Sequence, residues 1–156
     1  CFSSDSKLLF FSTPQRYNIM SYVLNFETGI LNQIRHDSTS LMVLDVFDDT
    51  ILWLNTSVIM PSRLMISELN KNEDEVELKA ITEPMVIDEL KDIIYENNEY
   101  VYSDGPVEDV KDFNFMYYGP KEGKEKSVPV ILAAHGGPHA SYANTFIFNH
   151  AIVVAS

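Results

Sequence analysis

Over about its first eighty residues the chain is a run of short apolar segments broken by turn chemistry at roughly ten-residue spacing, and this restricts it to antiparallel β structure. "KLLFFS" (Lys7–Ser12) and "MSYVLN" (Met20–Asn25) read as strands. "FETG" follows, with Gly29 available for a positive φ, and "ILNQIRH" returns. Ser40–Val46 and Thr50–Ser57 flank a second turn at "FDDT", and "RLMISELN" closes the series. No helical period of useful length competes there. Trp53 and the tyrosines read as core.

Beyond that region the pattern changes. Residues 70–83, "NKNEDEVELKAITE", end the strand series, and Glu83-Pro84 marks a boundary. We therefore divide the chain into 1–82 and 83–156. "VIDELKDIIYEN" fits either a helix or a strand by its spacing, and its β-branched residues favour a strand. "DFNFMYY" (Asp112–Tyr118) is a clearer strand. "VPVILAA" (Val128–Ala134) is a continuous apolar run, as expected of a strand buried on both faces of an α/β sheet. Thr145–Ser156 carries no Gly or Pro and predicts a helix. The expected order is all-β, then α/β.

Between the last two elements stands "HGGPH". Two glycines and a proline cannot continue a strand or a helix. Glycines after a strand let the backbone turn and let a ligand approach the amide N–H groups. Acyl transfer needs such donors, because negative charge develops on the carbonyl oxygen. His135 and His139 have the i, i+4 spacing of zinc ligands on a helix, but Gly136-Gly137-Pro138 prevents that helix and no acidic third ligand is near. A phosphate loop would need more glycines or a Lys-Ser/Thr pair. A tight turn without function is the remaining alternative.

Charge and cysteine content narrow the function further. The net charge is −12, with fifteen Asp or Glu against four Lys between Glu68 and Asp112. That excludes the basic footprint of a nucleic-acid binder and reads as a solvated surface. No segment is long and apolar enough for a membrane-spanning helix. One cysteine rules out an internal disulfide framework and fits a reducing compartment. No cofactor is expected. The sequon Asn55-Thr56-Ser57 sits in an apolar strand and is discounted as a glycan acceptor. Cys1 at the start and "AIVVAS" at the end read as the cut ends of a longer protein.

"VPVILAAHGGPHASYANTFIFNHA" resembles the oxyanion-loop segment of the prolyl oligopeptidase family of serine peptidases, in the form found in members that release N-acylated amino acids. "SSDSKLLFFS" and "YVLNFETGILNQI" resemble the turn, strand and hairpin of β-propeller blades, and Phe10–Trp53 resembles the family's last blades. The resemblance is strongest over Leu8–Trp53 and Val128–Ser141. It implies C-terminal propeller blades followed by the N-terminal part of an α/β-hydrolase domain, both incomplete. It implies acyl transfer to serine, short N-acylated peptides as substrates, and a homo-oligomer as the full-length form. A related dipeptidyl peptidase or esterase, or a propeller scaffold with a degenerate hydrolase domain, is the alternative.

The resemblance assigns site residues only at the loop. Gly137 would supply an oxyanion-hole N–H and Gly136 the sharp turn, while His139 would support the loop. No serine has glycines at both flanking positions of a Gly-x-Ser-x-Gly elbow. The family's order of Ser, Asp, His excludes His135, His139 and His150 as triad members, since all three precede any elbow. The chain is thus expected to be inactive by itself.

Overall fold

The computed structural model describes residues 1–34, 37, 39–48, 50–69, 76–101, 112–121, 129–137 and 141–156. Its first sheet is the antiparallel meander β1 (Leu8–Gln15), β2 (Asn18–Asn25) and β3 (Leu31–Ile34). Its second is a four-stranded antiparallel meander of β4 (Ser40–Phe47), β5 (Thr50–Ser57), β6 (Met60–Glu68) and the short β7 (Lys79–Ala80). A separate hairpin pairs β8 (Ile93–Val101) with β9 (Asp112–Pro120). One helix, α1 (Phe148–Ala155), closes the described structure. No sheet is closed. The two meanders are compatible with propeller blades.

Local chemistry sets the turns. The Asn25 side-chain oxygen accepts the amides of Glu27 and Thr28 at 2.9 and 3.1 Å, and Gly29 takes φ 69° before β3. Asp48 takes φ 50° between β4 and β5. Pro14 lies on β1, at the edge of its sheet, where no ladder N–H is missed. Pro61 lies in the first turn-proximal part of β6, outside the short pairing of β6 with β7 at Met65 and Ile66.

The two meanders meet through small hydroxyl residues. β4 is an edge strand, and an edge leaves N–H and C=O groups that need partners. Ser12 Oγ accepts the Val43 amide at 2.9 Å, and Ser21 Oγ donates to the Leu41 carbonyl at 2.7 Å. Ser40 Oγ accepts the Ile19 amide at 2.9 Å. Around this seam Leu8, Phe10, Ile34, Leu41, Ile51, Trp53 and Met65 form the main core. Leu90, Ile93 and Ala151 form a second, smaller core under α1, with Tyr118 and Phe146 packed against it.

Three expectations need correction. Residues 129–134 form no strand, and Val130, Ile131 and Leu132 are 79, 73 and 93% exposed. A strand buried on both faces needs a neighbour on each side and a covering layer, and no described strand lies alongside this run. The α/β-hydrolase part of the expected fold is therefore not present among the described residues. The helix starts at Phe148 rather than Thr145, because Ile147, its N-cap, is extended at φ −120° and ψ 108°. Trp53 is fully buried, but Tyr100 and Tyr142 are exposed rather than core residues. The ambiguous segment resolves into a 3-10 turn at Asp88–Leu90 followed by β8.

Candidate functional site

The glycine loop leaves an extended, exposed segment. Gly137 has φ 70°, in the left-handed region where a side chain is strained, and a Cβ built there meets nothing within 4 Å. Gly136 has equal space but no positive φ. The residue that needs to be glycine for its conformation is thus Gly137. His139, expected to support the loop, lies outside the described residues, as do Pro138 and Ala140.

Aromatic contacts tie the loop to the rest of the fold. The His135 ring, two residues before Gly137, meets Tyr142 edge-on, with ring centres 6.4 Å apart. Tyr142 in turn meets His150 of α1 at 6.0 Å, and His150 meets Tyr118 of β9 at 6.3 Å. Burial raises the Tyr118 phenol above its ordinary pKa. The four rings form a continuous path from loop to hairpin. Sequence reasoning missed Tyr142 and Tyr118 here and weighed His150 only as a triad member. Nothing in the local pattern marks them, because their proximity is made by tertiary packing.

The segment after the loop is fastened to both meanders. Asn144 is wholly buried. Its amide N–H donates to the Tyr17 carbonyl at 2.6 Å, its Nδ2 donates to Asn18 Oδ1 at 3.0 Å, and its Oδ1 accepts the Val58 amide at 2.9 Å. The Tyr17 hydroxyl donates to the Asn98 carbonyl of β8 at 2.8 Å. Hydrogen bonds therefore cross the expected division between 1–82 and 83–156.

The arrangement offers one kind of chemistry. An exposed glycine backbone at the end of an extended segment can present an N–H to an oxyanion. Among the described residues, no group of three or more His, Cys, Asp and Glu could hold a metal ion. No helix among them is long and apolar enough to cross a membrane. A cavity of about 180 Å³ is lined by Ile19, Met20, Gln33, Asp37 and Thr39 among others, none from the glycine loop. Its carboxylate, Asp37, accepts hydrogen bonds from the Thr39 amide and hydroxyl, so it is engaged in a local turn. The sequon residues Asn55, Thr56 and Ser57 are buried. No family model matches the chain, and no curated protein matches it.

Proposed function

We propose that the chain is part of a serine exopeptidase of the acylaminoacyl-peptidase type, in the prolyl oligopeptidase family. The observation that carries the proposal is the left-handed φ of Gly137 inside His-Gly-Gly-Pro-His. In this reading a serine outside these residues attacks the carbonyl of an N-acylated amino acid in a short peptide. The carbonyl carbon becomes tetrahedral and its oxygen takes the negative charge. The Gly137 N–H donates to that oxygen, and the N–H after the serine supplies the second donor. A histidine takes the serine proton and passes it to the leaving amine, and water then hydrolyses the acyl-enzyme. The N-acyl amino acid is released.

The meanders take the part of propeller blades that limit access to small, unstructured peptides. The whole enzyme is cytoplasmic and homo-oligomeric in this reading, and needs no cofactor. The 156 residues contain no elbow serine, so the chain by itself is inactive.

A fluorophosphonate probe, which labels activated serines, tests the first half of the reading. No serine of this chain should be labelled, and specific labelling would overturn the claim that the nucleophile lies elsewhere. The second half is tested on the longer gene product with an acetyl-amino-acid chromogenic substrate. Hydrolysis that depends on a Gly-x-Ser-x-Gly serine supports the exopeptidase. A continuing reading frame without that elbow, and no hydrolysis, returns the protein to a scaffold.

A further inference from the structure

Asn144 holds long-range hydrogen bonds to Tyr17, Asn18 and Val58. It is wholly buried, yet it is polar. Burying an amide side chain is unfavourable unless its donors and acceptor are matched. Here they are matched by groups far away in sequence. The Asn144 backbone and Nδ2 donate to Tyr17 and Asn18, at the turn joining β1 to β2, and its Oδ1 takes the amide of Val58, at the turn joining β5 to β6. One residue thus gathers one turn from each meander. Without its Oδ1, the Val58 amide would be a buried donor lacking this acceptor.

The same residue lies two positions after Tyr142, whose ring touches His135 and His150. His135 lies two positions before Gly137. Beyond Asn144, the Phe146 amide on Thr56 Oγ1 holds the next stretch down on the end of β5. A path of contacts therefore runs from both meanders through Asn144 and Tyr142 to the ring at the mouth of the glycine loop. We infer that Asn144 is a positioning residue, which sets where the glycine loop sits relative to the two meanders, with Tyr142 as the element that transmits the placement to His135. Its catalytic consequence rests on the reading of Gly137 as an oxyanion donor; the anchoring itself does not.

The chemistry is specific to asparagine. Aspartate keeps the acceptor for Val58 but loses the Nδ2 donor to Asn18. Leucine keeps the approximate volume and loses both. Alanine loses both and leaves a cavity.

Two readouts separate the anchor from the loop's role. The first is amide hydrogen exchange on this chain. Asn144→Ala should speed exchange across 141–156 and at Val58, while the amides of β4 and β5 stay protected. Unchanged exchange across 141–156 overturns the inference. Asn144→Leu keeps the approximate volume and removes the acceptor without introducing a charge, so the Val58 amide should exchange faster in it, and a Val58 amide as protected in Asn144→Leu as in wild type overturns the assignment of the Val58 bond. The second readout is steady-state kinetics of the longer enzyme. Tyr142→Ala leaves every Asn144 bond in place, so it keeps the test open if Asn144→Ala fails to fold. It should lower kcat by about tenfold to a hundredfold, as expected for a reacting group displaced by an ångström or so, with KM moving less than about threefold. Tyr142→Phe keeps the ring contact and should restore kcat. Unchanged kcat in Tyr142→Ala overturns the transmission step. If Gly137→Ala leaves kcat unchanged while Asn144→Ala still loosens 141–156, the anchor stands and the oxyanion reading falls.

Discussion

The indole Nε1 of Trp53 donates to Ser67 Oγ at 2.9 Å inside the second meander, and both residues are buried. Trp53 pairs directly with Met65, so Ser67 is its diagonal neighbour on the same face of β6. The pair joins the largest core side chain to a matched acceptor. Ser67→Ala leaves the indole N–H unpartnered and should cost about 1–3 kcal/mol. Trp53→Ala also opens a cavity and should cost about 3–5 kcal/mol. In a Trp53→Phe background, which has no indole N–H, Ser67→Ala should cost less than about 1 kcal/mol. Urea unfolding of wild type, Ser67→Ala, Trp53→Phe and the double variant measures the difference. Equal costs of Ser67→Ala in the two backgrounds would show that the bond contributes nothing.

Asn55 is a sequon residue that folding removes from reach. Its Nδ2 donates to Thr39 Oγ1 and the Ser40 carbonyl, and its Oδ1 accepts Arg63 Nε at 3.0 Å. A glycan on Nδ2 would displace both acceptors from a site that is 1% exposed. Folded protein from a glycosylating host should therefore have the unmodified mass at this position. A glycosylated, equally stable chain would contradict the packing of β4 on β5. Asn55→Ala, by contrast, should cost about 1–3 kcal/mol for each buried group it leaves unpaired.

Stability should fall at alkaline pH, and Tyr118 should account for part of the fall. Burial raises its phenol above the ordinary 10.0. The folded chain then keeps a proton that the unfolded chain has lost, so this group's contribution is fully present below pH 10.0 and is lost as pH rises through the raised value. Lys7 acts in the same direction from its ordinary 10.5, raised first by its hydrogen bond to Glu27, at 2.6 Å, and then by that residue's charge. Thermal midpoints measured from about pH 9 to about pH 11 should drop more steeply for the wild type than for Tyr118→Phe. Lys7→Gln provides the control for the second group. A Tyr118→Phe chain with the wild-type slope would remove the phenol from the account.

The sequence showed the strands best where the turns carry their own chemistry. Asn25 and Gly29 close one turn, and Asp48 another, by local hydrogen bonding or positive φ, so the bounds of β1 to β5 are legible within a few residues. The β5–β6 turn is different. Val58 and Ile59 form it, and neither is a residue type that marks a turn. The Val58 amide donates to Asn144 Oδ1, 86 residues away. Val130–Leu132 misled in the opposite sense. An apolar run states that cover would be favourable, not that cover is present. At the candidate site, the residue types of the loop were legible in the sequence. The ring path through Tyr142, His150 and Tyr118 was not legible, because no spacing rule brings a loop, a helix and a hairpin together.

Gly136 and Gly137 give the sharpest test of the loop. Both have open space around the position of a Cβ, so a methyl group meets no neighbour at either. They differ in backbone conformation. Gly137 lies at φ 70°, and an L-residue held in the left-handed region costs about 1–2 kcal/mol. Gly136 carries no such cost. Gly136→Ala should therefore leave loop geometry and kcat near wild type in the longer enzyme. Gly137→Ala should either strain the loop or rotate the peptide and turn its N–H from the developing oxyanion. Loss of one such donor lowers kcat by about a hundredfold to a thousandfold. KM should move much less, because the donor acts mainly in the transition state. Ser141→Ala, past the motif, should stay within a few-fold of wild type. The fold should survive all three, since neither glycine packs against the core. Kinetics on an acetyl-amino-acid chromogenic substrate, with circular dichroism as the folding control, decides between the two glycines. Equal kcat in Gly136→Ala and Gly137→Ala would show that the left-handed residue has no part in holding the donor, and the loop would then be a turn and nothing more.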